Sequence, residues 1–230
     1  MTDFVLSALG NTAGYIVLFA MTAIAAYLLG SINFGIIVVK LKNDKDVRQY
    51  GSGGAGATNV MRNFGKSAAL LTTLGDFSKG ALALFLGRFM LDSGNIFGLI
   101  ATYGAMAAAL FAVLGHTRPL FFGFKGGKGV VTSASVLLFV DWRVFLIGLG
   151  VFIIVFVFTR TVSAGSILGS FTAPFTMGIF HDWDIWLVVM MALLAAWVIY
   201  CHSSNIKRLL KGTEPKLSLK KSEIVEKYDK

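Results

Sequence analysis

The sequence is short of the residues that build soluble domains. Only 14% of its 230 residues are charged, against roughly a quarter in an average soluble chain. Three prolines leave few rigid breaks and suit long helices better than a loop-rich fold. The single cysteine, Cys201, excludes an internal disulfide and a cysteine-built zinc cluster. Acidic residues are scarce, 12 against 21 Lys and Arg. No cluster of carboxylates exists to hold a divalent cation, so no metal site is expected. No G-x-S-x-G turn presents a serine nucleophile, and no repeat or separate soluble domain is visible.

What the chain has instead is apolar length. Hydrophobic residues make up 56% of it, and the mean hydropathy is +0.73. A spanning helix needs about 20 mostly apolar residues. Seven segments fit, at roughly 12–39, 66–91, 95–115, 129–141, 143–159, 162–180 and 184–202. The fourth and fifth are short and divide at Asp141-Trp142-Arg143. The expected class is all-α, a polytopic integral membrane protein with seven transmembrane helices.

The cations are placed unevenly. With seven spans, nearly all Lys and Arg fall on one face, including Lys40, Arg48, Arg62, Arg118, Lys128, Arg160 and the run from Lys207 onward. The other face has Arg88 and Arg143 but also Asp92, Asp141, Asp182 and Asp184. Cytoplasmic loops carry the excess of Lys and Arg, so the N-terminus is expected outside and the C-terminus in the cytosol. An even number of spans would destroy this separation. Trp142, Trp183, Trp186 and Tyr200 sit near proposed helix ends, as interfacial aromatics do. The expected organisation is one membrane-embedded domain over 1–205 and a basic cytoplasmic tail over 206–230.

Four polar motifs fall on the basic face. The first, Gly51 to Asn59, reads GSGGAGATN and is followed by Arg62. It matches G-x-G-x-x-G, but the strand–turn–helix context of a dinucleotide site is absent. Ser52, Thr58 and Asn59 offer neutral hydrogen-bonding groups there, and Arg62 offers a planar fork suited to phosphate. The second motif runs from Gly115 through His116, and continues as Lys125-Gly126-Gly127-Lys128-Gly129 at the start of the fourth segment. Bare backbone amides at a helix start attract anions, and two ammonium groups add charge. It is not a Walker loop, since Gly129 follows Lys128 and Phe122 occupies the first glycine position. The third motif is TRTVSAGS at 159–166, and the fourth is CHSSNIKRLLKGTE at 201–214. Each alone could be an ordinary basic loop. Two glycine-and-cation loops on one face point to two phosphates or one large anion.

Three further readings follow from the residues. His202 and Asn205 are three apart, so on a helix they share a face and could address one oxygen as charge develops on it. Asp76 and Lys79 share the same spacing inside a span, where charges pair or line a cavity. A structural ion pair is favoured over a direct role in catalysis. His181 falls on the opposite face as an interfacial residue. A transporter for organic anions would also use inward-facing helix ends. Its site would lie nearer the bilayer midplane, and no broken helix pair is evident. A membrane anchor for nucleic acid has only the basic tail in its favour and lacks stacking aromatics, so no nucleic-acid partner is expected.

The His-x4-Asp pair of soluble and peripheral glycerolipid acyltransferases is absent. At that spacing His116, His181 and His202 are followed by Phe121, Trp186 and Lys207. The chain resembles instead the bacterial acyl-phosphate:glycerol-3-phosphate acyltransferase family, PlsY. The likeness is carried by GSINFG at 30–35, GSGGAGATNVMR at 51–62, GHTRPLFFGFKGGKGVVTS at 115–133, TRTVSAGS at 159–166 and HSSNIKRLLKGTE at 202–214. The family's first loop reads closer to G-S-G-N-P-G-A-T-N, so Gly54 and Ala55 stand where Asn and Pro are usual. A looser loop is expected from that change.

The resemblance implies a seven-span enzyme of the bacterial inner membrane with its site facing the cytoplasm. It implies transfer of a fatty acyl group from acyl phosphate to the 1-hydroxyl of glycerol 3-phosphate, giving lysophosphatidic acid and phosphate. This is the first step of phospholipid synthesis. Neither acyl-CoA nor acyl carrier protein serves as direct donor, and no cofactor or covalent acyl-enzyme is implied. By resemblance Ser52, Gly53, Thr58, Asn59, Arg62, His116, Lys125 or Lys128, Gly126, Gly127, and Ser163 or Ser166 bind the phosphate groups. His202 and Asn205 form the catalytic pair. In the family the substrate's own phosphate accepts the hydroxyl proton, so His202 need not be the base. Membrane lipids are the other expected partners, and a monomer is expected to suffice.

Overall fold

The computed structural model describes residues 11–91 and 99–217. Nine α-helices carry it: α1 Asn11–Ser31, α2 Phe34–Asn43, α3 Ala57–Met90, α4 Leu99–Thr117, α5 Val130–Val140, α6 Trp142–Thr159, α7 Val162–Phe180, α8 Ile185–Cys201 and α9 Ser203–Leu210. No strand occurs among the described residues. The seven apolar segments read from the sequence each hold a helix. The first part of the third segment, and the tail beyond 217, lie outside the described residues.

Two contact zones show that successive elements run in alternating directions. At one end Tyr103 Oη donates to Asp184 Oδ2 at 2.6 Å, and His181 Nε2 lies 3.0 Å from Asp141 Oδ2. These bonds join the start of α4, the α5–α6 junction and the α7–α8 junction. At the other end one cavity is lined by Gly51–Asn63, Gly127–Val131, Val162–Ser166 and His202–Pro215 residues. Helices α4, α5, α6, α7 and α8 therefore each run between these two ends.

Among the described residues four helical stretches are long and apolar enough to cross a bilayer: Ala13–Asn43, Ala57–Met90, Thr102–Phe122 and Trp142–Thr159. The bent pair α8–α9 makes a fifth. With 11 residues, α5 is only about 16 Å long, half the thickness of a hydrocarbon core. α7 is diluted by a buried polar face that holds Ser163, Ser166 and Thr176.

Small residues set the close crossings. A Cβ on Gly30 would lie 2.1 Å from Ala112 O, which brings α1 against α4; one on Gly87 would lie 2.3 Å from Gly104 O, which brings α3 against α4. Such contacts drive helix association where lipid removes the hydrophobic advantage. Leu84, Met106, Val113, Val136, Met177 and Met191 fill the shared core. Ile153, Ile154, Val157 and Phe158 of α6 remain exposed and form a lipid-facing surface.

Two segments differ from the sequence expectation, and one boundary matches it. The first segment does not continue as one helix. Asn33 interrupts it and caps α2, its Oδ1 accepting from Ile36 N at 3.3 Å. α3 starts inside the glycine motif, at Ala57, and is broken at Gly65 with φ 86° and ψ 175°, a conformation open essentially to glycine alone. The expected boundary at Asp141 does occur, because its carboxylate accepts from Arg143 N at 2.8 Å and caps α6.

Candidate active site at the helix ends

The first glycine loop is organised around one buried side chain. Asn59 Nδ2 reaches Val47 O at 3.2 Å, Tyr50 O at 3.0 Å and Gly54 O at 2.8 Å, while its Oδ1 accepts from Ser52 N at 3.1 Å and Asn63 Nδ2 at 3.0 Å. The Asn59 amide is thus occupied by the loop's own backbone. It shapes the loop from within while still lining the cavity. Gly51 has φ 56° and backs onto the Asn59 and Asn63 amides.

The second glycine loop packs on the first. Ala55 N donates to Gly126 O at 3.2 Å, a bond that a proline at position 55 could not donate. Arg48 clamps the pair from the side, donating to Phe122 O and to Lys125 O. Ala55 is fully buried and tied to its neighbour by the bond to Gly126 O. The second loop ends at Gly129, whose φ of 83° turns the chain into α5.

The third and fourth motifs close the site through a carboxylate. Glu214 Oε1 accepts from Ser163 Oγ at 2.7 Å and from Asn205 Nδ2 at 2.7 Å, and Oε2 accepts from Arg208 Nε at 2.8 Å. Burial opposes its charge, yet these three bonds hold the carboxyl below its ordinary range. Lys128 Nζ donates to the other side of the same amide, Asn205 Oδ1, at 2.6 Å. Arg62 reaches over the top to Pro215 O at 3.0 Å, and Leu217 N donates to Arg160 O at 2.8 Å. The segment expected as a tail from residue 206 thus begins as part of the site.

These groups surround a cavity of about 710 Å³. Of the residues singled out from the sequence, Ser52, Thr58, Asn59, Arg62, Gly127, Lys128, Ser163, Ser166, His202 and Asn205 line it. Gly53, His116, Lys125 and Gly126 do not. Lys125 is exposed, and His116 is 3% exposed, behind the second loop. Of the alternatives left open, Lys128 is the lysine in the cavity, and both serines are present. Ser166 Oγ donates to Val162 O at 3.0 Å, while Ser163 faces Glu214.

Sequence reasoning gave no role to Glu214 or Arg208, both of which line the cavity. Glu214 is the lone acid between Asp184 and Glu223 in a basic stretch, a signal that could have marked it. Asp76 also reaches the cavity wall, while its partner Lys79, 2.8 Å away, lies behind it. The Asp76–Lys79 ion pair is present and buried, as the spacing suggested.

The electrostatics favour anions. Burial, with Arg208 and Arg62 nearby and Glu214 opposing, pushes the Lys128 ammonium down to about 8. His202 sits at the 61° bend between α8 and α9. Its Nδ1 lies 2.8 Å from Val198 O. A carbonyl oxygen only accepts, so Nδ1 carries the proton and Nε2 is left as the acceptor of the neutral ring. Toward α3, α5 and α6 the lining turns apolar, with Met61, Ala69, Val130, Val131 and Phe152. Cations at one end and apolar walls at the other suit an amphiphile with an anionic head.

Fold and site together define a helical membrane protein with a cavity, cationic on one side and apolar on the other, where its helices end. The family model for glycerol-3-phosphate acyltransferase matches residues 20–212, and the chain belongs to that family. It is 43% identical over 200 residues to a glycerol-3-phosphate acyltransferase of Thermoanaerobacter sp. (strain X514), covering 87% of this chain and 96% of the relative. It is also similar to crystal structures of PlsY (YgiH), an integral membrane glycerol 3-phosphate acyltransferase. Against the glycerol 3-phosphate form the TM-score is 0.77 at 37% identity, covering 87% of this chain and 96% of that one. Against the lysophosphatidic acid form it is 0.74 at 36% identity, covering 87% and 95%.

Proposed function

We propose that the protein transfers a fatty acyl group from acyl phosphate to the 1-hydroxyl of glycerol 3-phosphate. The products are lysophosphatidic acid and phosphate. The observation that carries this reading is the convergence on Asn205, where Lys128 Nζ meets Oδ1 and Glu214 meets Nδ2. That contact joins the glycine loop before α5 to the motif after α8 in one cavity.

The reaction needs two phosphorylated substrates beside an apolar groove. Arg62, Lys128 and Arg208 offset the repulsion between the two anions, and Ser52, Thr58 and Ser163 offer neutral hydrogen bonds. The acyl chain lies along Met61, Ala69, Val130, Val131 and Phe152. The acceptor hydroxyl attacks the acyl carbonyl, an ester C–O bond forms, and the acyl C–O bond to phosphate breaks. The hydroxyl proton passes to a substrate phosphate oxygen, and phosphate leaves with the bonding pair. His202 orients the attack, and the Asn205 amide N–H bears charge on the carbonyl oxygen. No side chain becomes acylated.

The same reading places the site at the cytoplasmic face of the bacterial inner membrane, with seven crossings, the N-terminus outside and a monomer as the working unit. The alternation of helix direction and the clustering of cations around the cavity support it.

The test is a donor comparison with purified protein. Phosphate release from palmitoyl phosphate is expected only when glycerol 3-phosphate is present, with no turnover of palmitoyl-CoA. Transfer from palmitoyl-CoA with palmitoyl phosphate ignored would overturn the donor assignment.

A further inference from the structure

His116 does not line the cavity, yet it holds the most heavily connected position behind it. Its ring is 3% exposed, and Asp76 and Lys79 beside it are each 1% exposed. Lys79 contacts both of them and the backbone. Its Nζ lies 2.8 Å from Asp76 Oδ1, donates to Ile32 O at 2.8 Å, and lies 2.9 Å from His116 Nδ1. An ammonium has no acceptor, so toward Lys79 at 2.9 Å His116 Nδ1 accepts, with Asp76 Oδ1 a more distant 3.4 Å from the same nitrogen. That ammonium ties together the α1–α2 break, α3 and the end of α4.

The opposite edge of the same ring supports the second glycine loop. A Cβ on Gly127 would lie 2.1 Å from His116 Nε2, and one on Gly126 would lie 2.0 Å from His116 O. His116 O accepts from Gly127 N at 3.2 Å and from Asn33 Nδ2 at 3.4 Å. Gly126 O in turn accepts from Ala55 N of the first loop at 3.2 Å. The imidazole is therefore a solid floor between a buried ion pair and the two residues that precede Lys128. Burying charge is costly unless its partners are in place, and here one of those partners, His116, bears on the loop.

We propose that His116, locked by the Asp76–Lys79 pair, is a positioning residue: it fixes the height of Gly127 and thereby places the Lys128 ammonium for the phosphate of glycerol 3-phosphate, without touching substrate. This rests on the acceptor assigned above and is independent of the acyl donor. A ring-sized gap under Gly127 lets the loop sink, and a displacement on the order of 1 Å is enough to cost up to about a hundredfold in a charge-positioning site.

The experiment is a double-mutant cycle read on equilibrium binding of glycerol 3-phosphate, with thermal unfolding in detergent recorded for each variant. His116→Ala is expected to weaken binding about tenfold or more in the otherwise unchanged protein. In a Lys128→Ala background the same substitution is expected to change binding less than about twofold, because the group it positions is gone. His116→Gln, which keeps an acceptor for Lys79, is expected to recover part of the loss; it replaces His116→Ala in the cycle if that variant does not fold. Losses that multiply in the double variant would overturn the proposal and leave His116 a purely structural residue. A glycerol 3-phosphate complex with the phosphate bonded to His116 would overturn it as well. Failure of the acyl-phosphate assay would leave this binding test standing.

Discussion

Lys128 and Asn205, 77 positions apart, meet with Nζ 2.6 Å from Oδ1. The other face of the Asn205 amide donates to Glu214 at 2.7 Å. One amide thus stands between the cation of the second loop and the carboxylate of the C-terminal segment. Its orientation is dictated by charge on both sides, so neither hydrogen-bonding end can exchange places with the other without facing a like group.

Lys128 makes capture of substrate sensitive to alkali. Its pKa is lowered to about 8, so it is charged below that value and loses its proton as pH rises through it. For the free enzyme kcat/KM is expected to fall above about pH 8. The bound phosphate favours the ammonium, so kcat is expected to fall at higher pH than kcat/KM. Lys128→Arg is expected to remove this alkaline limb, since a guanidinium stays protonated. Lys128→Ala is expected to cost about 100-fold or more in kcat/KM. The check is a pH–rate series for the three proteins, and an identical alkaline limb in the arginine variant would contradict the assignment.

Glu214 fastens the segment after α9 to α7 and to α9 itself. Its side chain is 5% exposed and pairs with Arg208 at 2.8 Å. Glu214→Gln is expected to destabilise the protein by about 2 kcal/mol, the range for losing charge-assisted bonds at a buried group, with activity falling in step. The folded-state pKa is lowered, so this stabilisation is present above the ordinary carboxylate range and is lost as pH falls through the folded value. The variant should therefore lose less of its melting temperature on acidification than the parent does. Thermal unfolding of both proteins across the acid range measures this, and parallel curves would contradict it.

Much of this architecture could be read from the chain because apolar length is a strong signal. The helices in 143–159, 162–180 and 184–202 lie within a residue or two of their expected bounds. The break at Asp141 was legible, but the one at Asn33 was not. Asn33 sits in an apolar run, and only its capping bond to Ile36 shows that the helix restarts there. Glycine density suggested a loop up to residue 65, but Thr58-to-Phe64 side chains pack well enough for α3 to begin early, and the one residue that departs from helix is Gly65. Within the site, residue type revealed the cations and hydroxyls. It could not reveal that Asn59 is consumed by its own loop, or that Glu214 returns across the cavity, since both depend on contacts across the fold.

The most direct measurement is a crystal structure of the protein with glycerol 3-phosphate bound. The expected result places the phosphate within hydrogen-bond reach of Lys128 and Arg62, with the acceptor hydroxyl beside His202 and Asn205. A phosphate held elsewhere, with the cavity between the two glycine loops and Glu214 left vacant, would contradict a shared anion site at these helix ends.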